Sequence, residues 1–200
     1  MLLKNTIVAV ICGGALVSLP AFGQENPVSK ADLSIQAFVP LVENTSAQRV
    51  QQSSSTNYGL LAGYRWFFDK HSGVELTYGF SRNSQNYNLG SGPLGVQNNS
   101  DEVLAAYVFR FPAKHWSPFV LGGAGALVFD PSIVAGGNTQ ARLGYVYGGG
   151  ADFNLKGRFF LRTEYRGVFY NSPTFNLTGL NGLDRFTHRA EPSVGFGYHF

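Results

Sequence analysis

The sequence predicts an all-β fold, an eight-stranded antiparallel up-and-down transmembrane β-barrel, and three observations support this prediction. Only 14% of the 200 residues are charged, whereas soluble domains carry about 25%. Aromatic residues also reach 14%, yet the mean hydropathy is close to zero, so the apolar residues are dispersed. From residue 31 onward, apolar and polar side chains alternate with a period of two, which is typical of strands.

The chain divides into residues 1–23, which are typical of a secretory signal peptide, and residues 24–200, which form one barrel domain. Lys4 is the only charge in the first segment, and an apolar run ends at Pro20 before the expected cleavage site. Cys12, the only cysteine, lies in this segment, so the mature chain has neither a disulfide nor a cysteine metal site. A lipoprotein signal and a membrane-anchor helix are alternatives that fit the sequence of this segment less well. No cluster of Lys or Arg predicts a nucleic-acid partner.

Eight alternating segments of about 9 to 13 residues match the length that a tilted strand needs to cross a bilayer. The connections between them alternate in length. Short connections lie near 69–72, 112–115 and 154–157, and long polar connections lie near 40–57, 82–100, 130–140 and 171–187. An up-and-down membrane barrel has this asymmetry, with tight turns on one rim and long loops on the other.

The charged residues indicate which face of the segments meets lipid. The apolar face has no charge through the middle of any segment, whereas the opposite face holds six arginines, six carboxylates and no lysine. A soluble barrel would turn the charged face to water, where lysine is common; an enclosed lumen favours arginine and balanced charge. The predicted lumen network comprises Arg65, Glu75, Glu102, Arg110, Arg142, Asp152, Arg162, Glu164, Arg166 and Glu191, with Asp32 and Arg189 on the same face.

Aromatic residues gather at the strand ends, as in the two interfacial girdles of a membrane barrel. The predicted short-turn girdle comprises Trp66, Phe109, Phe111, Phe119, Phe153, Phe159 and Phe200, and the long-loop girdle comprises Tyr58, Phe80, Phe129, Tyr145 and Phe169.

In the fifth segment, around 119–129, large and small side chains fall on opposite faces. We assign its large side chains, Phe119, Leu121, Leu127 and Phe129, to the lipid-facing wall. Small residues are expected to make room in the lumen for the long arginines: Gly122, Ala124, Ala126, Gly144, Gly148 and Gly150.

The chain resembles small Gram-negative outer-membrane β-barrel proteins, namely the OmpA-like transmembrane domain and the related porin-like group. Its motif-like part is the C-terminus, where Val194, Phe196, Tyr198 and Phe200 alternate in a pattern similar to the signal that the barrel assembly machinery recognises. The resemblance implies an outer-membrane location, contacts with outer-membrane lipids and lipopolysaccharide, and recognition by that machinery. It also implies a monomer without cofactors. A peptidoglycan-binding domain does not follow Phe200, so a cell-wall tether is not expected.

Three functions stay open at this stage. The first is a structural or adhesive role, with extracellular loops contacting an external ligand and the Arg/Glu network filling the lumen. The second is a small passive or gated pore. The third, an enzyme that modifies lipopolysaccharide acyl chains, is disfavoured because outward-facing His188 has no matching serine and acid: Ser193 faces inward. The four histidines are too scattered for a metal site. Arg82, at the outer boundary, is predicted to contact lipopolysaccharide phosphates.

Overall fold

The computed structural model describes residues 29–42, 52–54, 58–89, 92–113, 115–131, 139–171 and 186–200. The predicted signal segment 1–23 lies outside these residues. The described part of the chain forms ten strands: β1 (Ala31–Phe38), β2 (Leu41–Val42), β3 (Gln52–Ser54), β4 (Gly59–Phe67), β5 (Ser72–Leu89), β6 (Gly92–Arg110), β7 (Trp116–Pro131), β8 (Gln140–Asn154), β9 (Phe159–Asn171) and β10 (Phe186–His199).

Eight of the strands close into an antiparallel barrel in the order β1-β4-β5-β6-β7-β8-β9-β10. Closure comes from β1, which pairs with β4 on one side and with β10 on the other, from Asp32 opposite His199 to Phe38 opposite Ser193. The short β2 and β3 pair with β10 and β5. The predicted all-β, eight-stranded up-and-down barrel is therefore confirmed. Within the described residues, no helix has the length and apolar character to cross a membrane.

Side chains alternate between an exposed apolar wall and a buried interior, as the period of two predicts. Ile35 and Leu60 are about three-fifths exposed, whereas their neighbours Ser34 and Leu61 are buried. The exposed aromatic side chains cluster toward the two rims. They include Trp66, Phe111, Trp116, Phe153 and Phe159 on the short-turn side, and Tyr58, Tyr145 and Phe186 on the long-loop side.

The orientation predicted for the fifth segment, now β7, is wrong. Its large side chains are buried in the lumen, at 8% exposure or less, so Phe119 and Phe129 belong to neither girdle. Gly122 and Ala126 are exposed on the wall instead. The buried residues are Phe119, Leu121, Leu127 and Phe129.

The β7 side chains complete an apolar half of the lumen. Phe119 and Leu127 join a buried cluster with Leu104 and Val108 of β6 and Val146 of β8. The glycines of β8 make room for them: a Cβ on Gly144 would collide with Leu127, and one on Gly150 would lie 2.9 Å from the Phe119 ring. The sequence signal for this orientation was Trp116, because an outward-facing tryptophan at the rim places the even-numbered positions of β7 on the wall.

The prediction of a long loop over 82–100 is also wrong, because β5 and β6 continue as paired strands through most of this range. Pairing extends from Ser81 opposite Ser100 to Leu89 opposite Gly92, and β3 adds three residues alongside β5. The pairing of β4 with β5 ends at Gly59 opposite Ser81. The hairpin therefore extends about 25 Å along the strand direction beyond that point.

Two of the short turns are fixed by specific residues. In the turn between β4 and β5, Asp69 Oδ1 accepts hydrogen bonds from the backbone N–H groups of His71 at 2.6 Å and Ser72 at 2.7 Å. These bonds stabilise the ionised carboxylate and lower the pKa of Asp69 below its usual value. In the turn between β8 and β9, Gly157 adopts a φ of 76°, a left-handed conformation that favours glycine.

Pro192 lies in the middle of β10 although proline cannot donate to a strand ladder. Phe38 opposite Ser193 is the last pair between β1 and β10, and Pro192 lies one residue beyond it. The Pro192 carbonyl accepts a hydrogen bond from Val39 N at 3.1 Å, so the nitrogen of Pro192 also faces β1 there. The β1–β10 ladder tolerates the proline because the missing N–H lies where the pairing of these two strands ends.

Adjacent glycines of β7 provide a test of its orientation. A Cβ at Gly123 would collide with the backbone carbonyl of Ala105, whereas one at Gly122 would meet nothing closer than 3.9 Å. We expect Gly123→Ala to destabilise the barrel by about 1–3 kcal/mol, because backbone must move. Gly122→Ala is expected to leave stability within about 0.5 kcal/mol of the parent. Urea unfolding in lipid vesicles measures both; equal effects of the two substitutions would contradict the assigned faces.

Candidate functional site: the charged lumen

The lumen holds five arginines and six carboxylates, all at 5% exposure or less. Each comes from an inward-facing position of a strand, so the alternation of the strands places these long side chains in one confined volume. Charges in such a volume require partners, because an unpaired buried charge costs several kcal/mol. The residues are Asp32, Arg65, Glu75, Glu102, Arg110, Asp152, Arg162, Glu164, Arg166, Arg189 and Glu191.

A lower cluster lies toward the short turns and consists of two cross-strand pairs. Arg65 and Glu75 are direct partners in the β4–β5 register, and Arg65 Nε donates to Glu75 Oε2 at 2.5 Å. Asp152 and Arg162 are direct partners between β8 and β9, with Arg162 Nε and Nη2 donating to the two carboxylate oxygens at 2.6 and 2.9 Å. The pairs connect across the lumen, since Arg65 Nη1 lies 3.6 Å from Asp152 and Arg162 Nη1 lies 3.6 Å from Glu75.

Asp32 continues the lower cluster to the short-turn rim. Its carboxylate lies 3.5 Å from Arg110 Nη1 and 2.7 Å from His199 Nδ1. Ser29 Oγ donates to the same carboxylate at 2.7 Å. Ser29 Oγ also lies 3.2 Å from the backbone carbonyl oxygen of Phe200. This rim is therefore closed by groups from both ends of the barrel domain.

An upper cluster lies toward the long loops. Arg166 Nη2 contacts Glu102 and Glu191, each at 2.5 Å. Arg189 pairs with the same two carboxylates, reaching Glu191 Oε1 from Nε at 2.6 Å and Glu102 from Nη2. Glu191 is the direct β10 partner of Arg166 on β9, whereas Glu102 reaches them from β6. Two carboxylates and two guanidinium groups thus neutralise one another at this level.

Glu164 lies on β9 between Arg162 and Arg166 and has a different environment. Gln36 Nε2 donates to its Oε2 at 3.3 Å, and Ser193 Oγ donates to Gln36 Oε1 at 3.1 Å. Within the described residues, no cation lies within 4.0 Å of this carboxylate and its Oε1 has no hydrogen-bond partner. The two ion-pair clusters are therefore separated by a level of amide, hydroxyl and carboxyl groups.

Aromatic rings connect the charged half of the lumen to the apolar half. The Arg65 guanidinium lies 4.1 Å from the centroid of the Phe119 ring, and that of Arg110 lies 3.6 Å from the centroid of Phe67. Rings in this position attract the cation through their negative faces. Arg65 and Arg110 each contact both a carboxylate and a ring, so they join the charged half of the lumen to the apolar half.

The structure brings nine of the ten residues of the predicted network into the lumen as buried groups, eight of them in ion pairs. Arg142 is the exception: it is half-buried, and its hydrogen bond goes to Gln140 at 3.2 Å rather than to a described carboxylate. Asp32 and Arg189 take part in the clusters. The uncharged partners Ser34, Gln36 and Ser193 were not predicted to belong to the network, although they share the inward parity of their strands.

Other predicted site residues lie outside the lumen. Val194 and Phe196 are exposed on the wall of β10, and the Tyr198 ring contacts those of Phe159 and Phe200 with centroids 5.2 and 5.1 Å apart. Arg82 is exposed on β5, one residue above the end of its pairing with β4.

Groups needed for hydrolytic or metal chemistry do not assemble in the described part of the chain. The hydrogen-bond partner of the His188 ring is the Tyr147 hydroxyl, 3.1 Å from Nε2, rather than a serine or a carboxylate. No group of three or more His, Cys, Asp or Glu suited to a metal ion occurs among the described residues.

A closed barrel with an apolar outer wall, aromatic rims and an ion-paired lumen defines an integral membrane β-barrel. Residues 9–200 match the family described as the outer membrane protein beta-barrel domain. The chain belongs to this family and is a protein of the Gram-negative outer membrane.

Similar solved structures have the same fold. Neisserial surface protein A superposes with a TM-score of 0.61 at 11% identity, covering 86% of this chain and 98% of that chain. OprG from Pseudomonas aeruginosa gives 0.58 at 16% identity, covering 86% and 97%. Ail, the attachment invasion locus protein of Yersinia pestis, in complex with the heparin analogue sucrose octasulfate, gives 0.51 at 21% identity, covering 85% and 97%. No curated protein sequence matches the chain.

The upper cluster makes a prediction about stability. Replacing Glu102 by Ala removes one of the two carboxylates that Arg166 and Arg189 contact. Two buried guanidinium groups are then left with the single negative charge of Glu191. We expect Glu102→Ala to lower the free energy of unfolding by about 3 kcal/mol. Arg142→Met removes an arginine outside the ion pairs and is expected to change it by less than about 1 kcal/mol. Urea titration in lipid vesicles compares the two, and a larger loss for Arg142→Met would refute the assignment of the network.

Proposed function

We propose that this protein is a non-conducting scaffold that anchors in the outer membrane and presents its β5–β6 hairpin outside the cell, with a structural or adhesive role. The observation that carries the proposal is the combination of a lumen filled by ion pairs and rings with a paired ladder that extends beyond the barrel. A filled lumen disfavours passage of solutes, whereas a rigid extension places polar residues away from the membrane surface.

The hairpin is suited to contact external surfaces. Its strand β5 is paired on both sides in the outer half of the hairpin, with β6 on one side and with β3 on the other over residues 85–87. Backbone pairing of this kind reduces the conformational entropy that a flexible loop would lose on binding. The similarity in fold to Ail, an attachment invasion locus protein, agrees with such a role.

The expected partners of the barrel follow from its location. The alternate residues Val194, Phe196 and Tyr198 of β10, followed by Phe200, supply the pattern proposed for recognition by the barrel assembly machinery. The exposed wall contacts outer-membrane lipids. Arg82 is proposed to contact lipopolysaccharide phosphates, because it is an exposed cation one residue above the end of the β4–β5 pairing.

Single-channel recording tests the closed lumen against the pore alternative. We expect the parent protein to give no stable conductance in planar bilayers, because two levels of ion pairs occupy its cross-section. The variant Arg162→Ala/Glu164→Ala/Arg166→Ala removes side chains from both levels and the one between, so conductance should appear. Arg142→Ala serves as the control. A parent protein that conducts steadily, with the triple variant unchanged, would exclude both the plug and its role as a gate.

Shortening the hairpin tests the adhesive role. Ser84 pairs with Gln97, so residues 84–97 can be replaced by an Asn-Gly turn that connects the two strands in register. Cells that display this variant should bind less well than the parent to an epithelial monolayer and to immobilised heparin. Heat-modifiability on a gel should stay unchanged, since the barrel is intact. Equal adhesion by parent and variant on both surfaces would exclude attachment through this hairpin.

A further inference from the structure

Among the buried charges of the lumen, the carboxylates outnumber the guanidinium groups by one, and Glu164 is the carboxylate left over. In the lower cluster and at the short-turn rim, three arginines face three carboxylates. In the upper cluster, two arginines face two carboxylates. These ten groups neutralise one another within their own levels. Glu164 is 5% exposed and lies between the two levels without an ion-pair partner among the described residues.

The neighbours of Glu164 in the strand ladder bring no positive charge toward it. Its direct partners are Gly150 on β8 and Ser193 on β10. A Cβ added at Gly150 would lie 2.9 Å from both Glu164 Cα and the Phe119 ring, so backbone and a ring occupy that side. From β1, the Gln36 side chain contributes a neutral amide. The side chains that surround this carboxyl group at its own level are therefore uncharged.

The hydrogen bonds of Glu164 fit a neutral acid better than an ionised carboxylate. Its Oε2 accepts one bond, from Gln36 Nε2 at 3.3 Å, and its buried Oε1 has no hydrogen-bond partner within the described residues. By contrast, Asp152 accepts two bonds from the Arg162 guanidinium, at 2.6 and 2.9 Å. Hydrogen bonds from several donors favour the ionised form of a carboxyl group, and burial disfavours it. A proton on Glu164 Oε1 removes the charge that has no partner.

The more distant charges do not replace the missing partner. Burial acts most strongly against a negative charge on Glu164, and repulsion by Glu75 comes next. Arg166, Arg65 and Arg162 attract that charge less strongly. Each of these three guanidinium groups already pairs with another carboxylate. A second negative charge near Glu75 is therefore costly, and a proton relieves this cost.

A metal or alkali cation fits this position less well than a proton does. Hard cations such as Ca²⁺ and Mg²⁺ take about six or more oxygen ligands. Gln36 turns its N–H group, not its oxygen, toward the Glu164 carboxylate, because Gln36 Oε1 accepts a hydrogen bond from Ser193. The guanidinium groups of Arg162 and Arg166, one level below and one level above, would also repel a cation. A proton requires no shell of ligands.

We infer that Glu164 is a proton-binding site and that the folded lumen holds one proton on this carboxyl group near neutral pH. Five carboxylates then balance five guanidinium groups. When the barrel unfolds, the O–H bond of this carboxyl group breaks and the proton passes to water, because a glutamate in water is ionised above about pH 4.3. The inference goes beyond the scaffold role, since a filled lumen can present the hairpin whether or not it carries a proton.

Infrared spectroscopy of the protein in lipid vesicles tests the inference directly. A protonated carboxyl group has a C=O stretching band that is separate from the bands of a carboxylate. We expect the folded parent protein to show this band at neutral pH and Glu164→Gln to lose it. Asp69→Asn removes an exposed carboxylate from the turn between β4 and β5 and should keep the band. A parent without the band, or a band that survives in Glu164→Gln, would overturn the inference.

The pH dependence of unfolding is a second measurement. Because the folded parent carries a proton that the unfolded chain lacks, its stability should fall as the pH rises. Above about pH 5, its unfolding equilibrium constant should rise up to about tenfold more per pH unit than that of Glu164→Gln. Other titrating groups, such as His199 beside Asp32, act equally in both proteins and cancel in this comparison.

Urea unfolding in lipid vesicles at several pH values gives these constants. Parallel pH profiles for the parent and Glu164→Gln would overturn the inference. A difference in stability between them that follows the concentration of Na⁺ rather than the pH would also overturn it, in favour of a bound cation.

A second variant decides if Glu164→Gln does not fold, which heat-modifiability on a gel reveals. Glu75→Gln leaves five carboxylates in the lumen for the five arginines. Glu164 then becomes the fifth negative charge and should ionise, so the infrared band should vanish at neutral pH. Persistence of the band in folded Glu75→Gln would overturn the inference.

Discussion

Mutual neutralisation of buried charges is the constraint on which the rest of this structure depends. Six carboxylates and five guanidinium groups share a space from which water is largely excluded. All of them except Glu164 lie beside an opposite charge, which offsets the cost of burying them. The strand registers provide that proximity: Arg65 lies opposite Glu75, Asp152 opposite Arg162, and Glu191 opposite Arg166. A shift of one register by one residue would turn a charge toward lipid, so the ion pairs and the backbone ladder specify the same arrangement.

The lumen combines two kinds of packing that are usually kept apart. One half resembles the core of a soluble protein, with Leu104, Val108 and Leu127 fully buried, and the other half is ionic. The boundary is formed by rings such as Phe119, which packs in the apolar cluster and faces the Arg65 guanidinium. This division explains why the barrel needs no lysine inside: a planar guanidinium can stack on a ring and pair with carboxylates at its edge, which an ammonium group cannot do.

The sequence predicts this architecture wherever a strand carries a charge. Arg65, Glu102 or Arg162 each orient their strand, because a charge at mid-membrane height has to face inward. Strand β7 has no charge between Trp116 and Phe129, and its large residues were therefore placed on the wrong side. The outer hairpin was missed for a different reason: outside the bilayer, a ladder is stabilised without an apolar face, so its Ser, Asn and Gln residues resemble a loop. The Tyr147–His188 contact spans three strands and depends on a three-dimensional register that periodicity does not supply.

The pairing of β1 with β10 affects the order in which the barrel folds. Asp32 and His199 are 167 positions apart and lie 2.7 Å from one another, with Ser29 and Phe200 beside them. Contacts between such distant positions form slowly, because the entropy of closing so long a loop is lost before the contact is gained. Until then both the first and the last strand present unpaired edges, which invite aggregation. The last step of folding is therefore the pairing of β1 with β10, and only that step removes both edges.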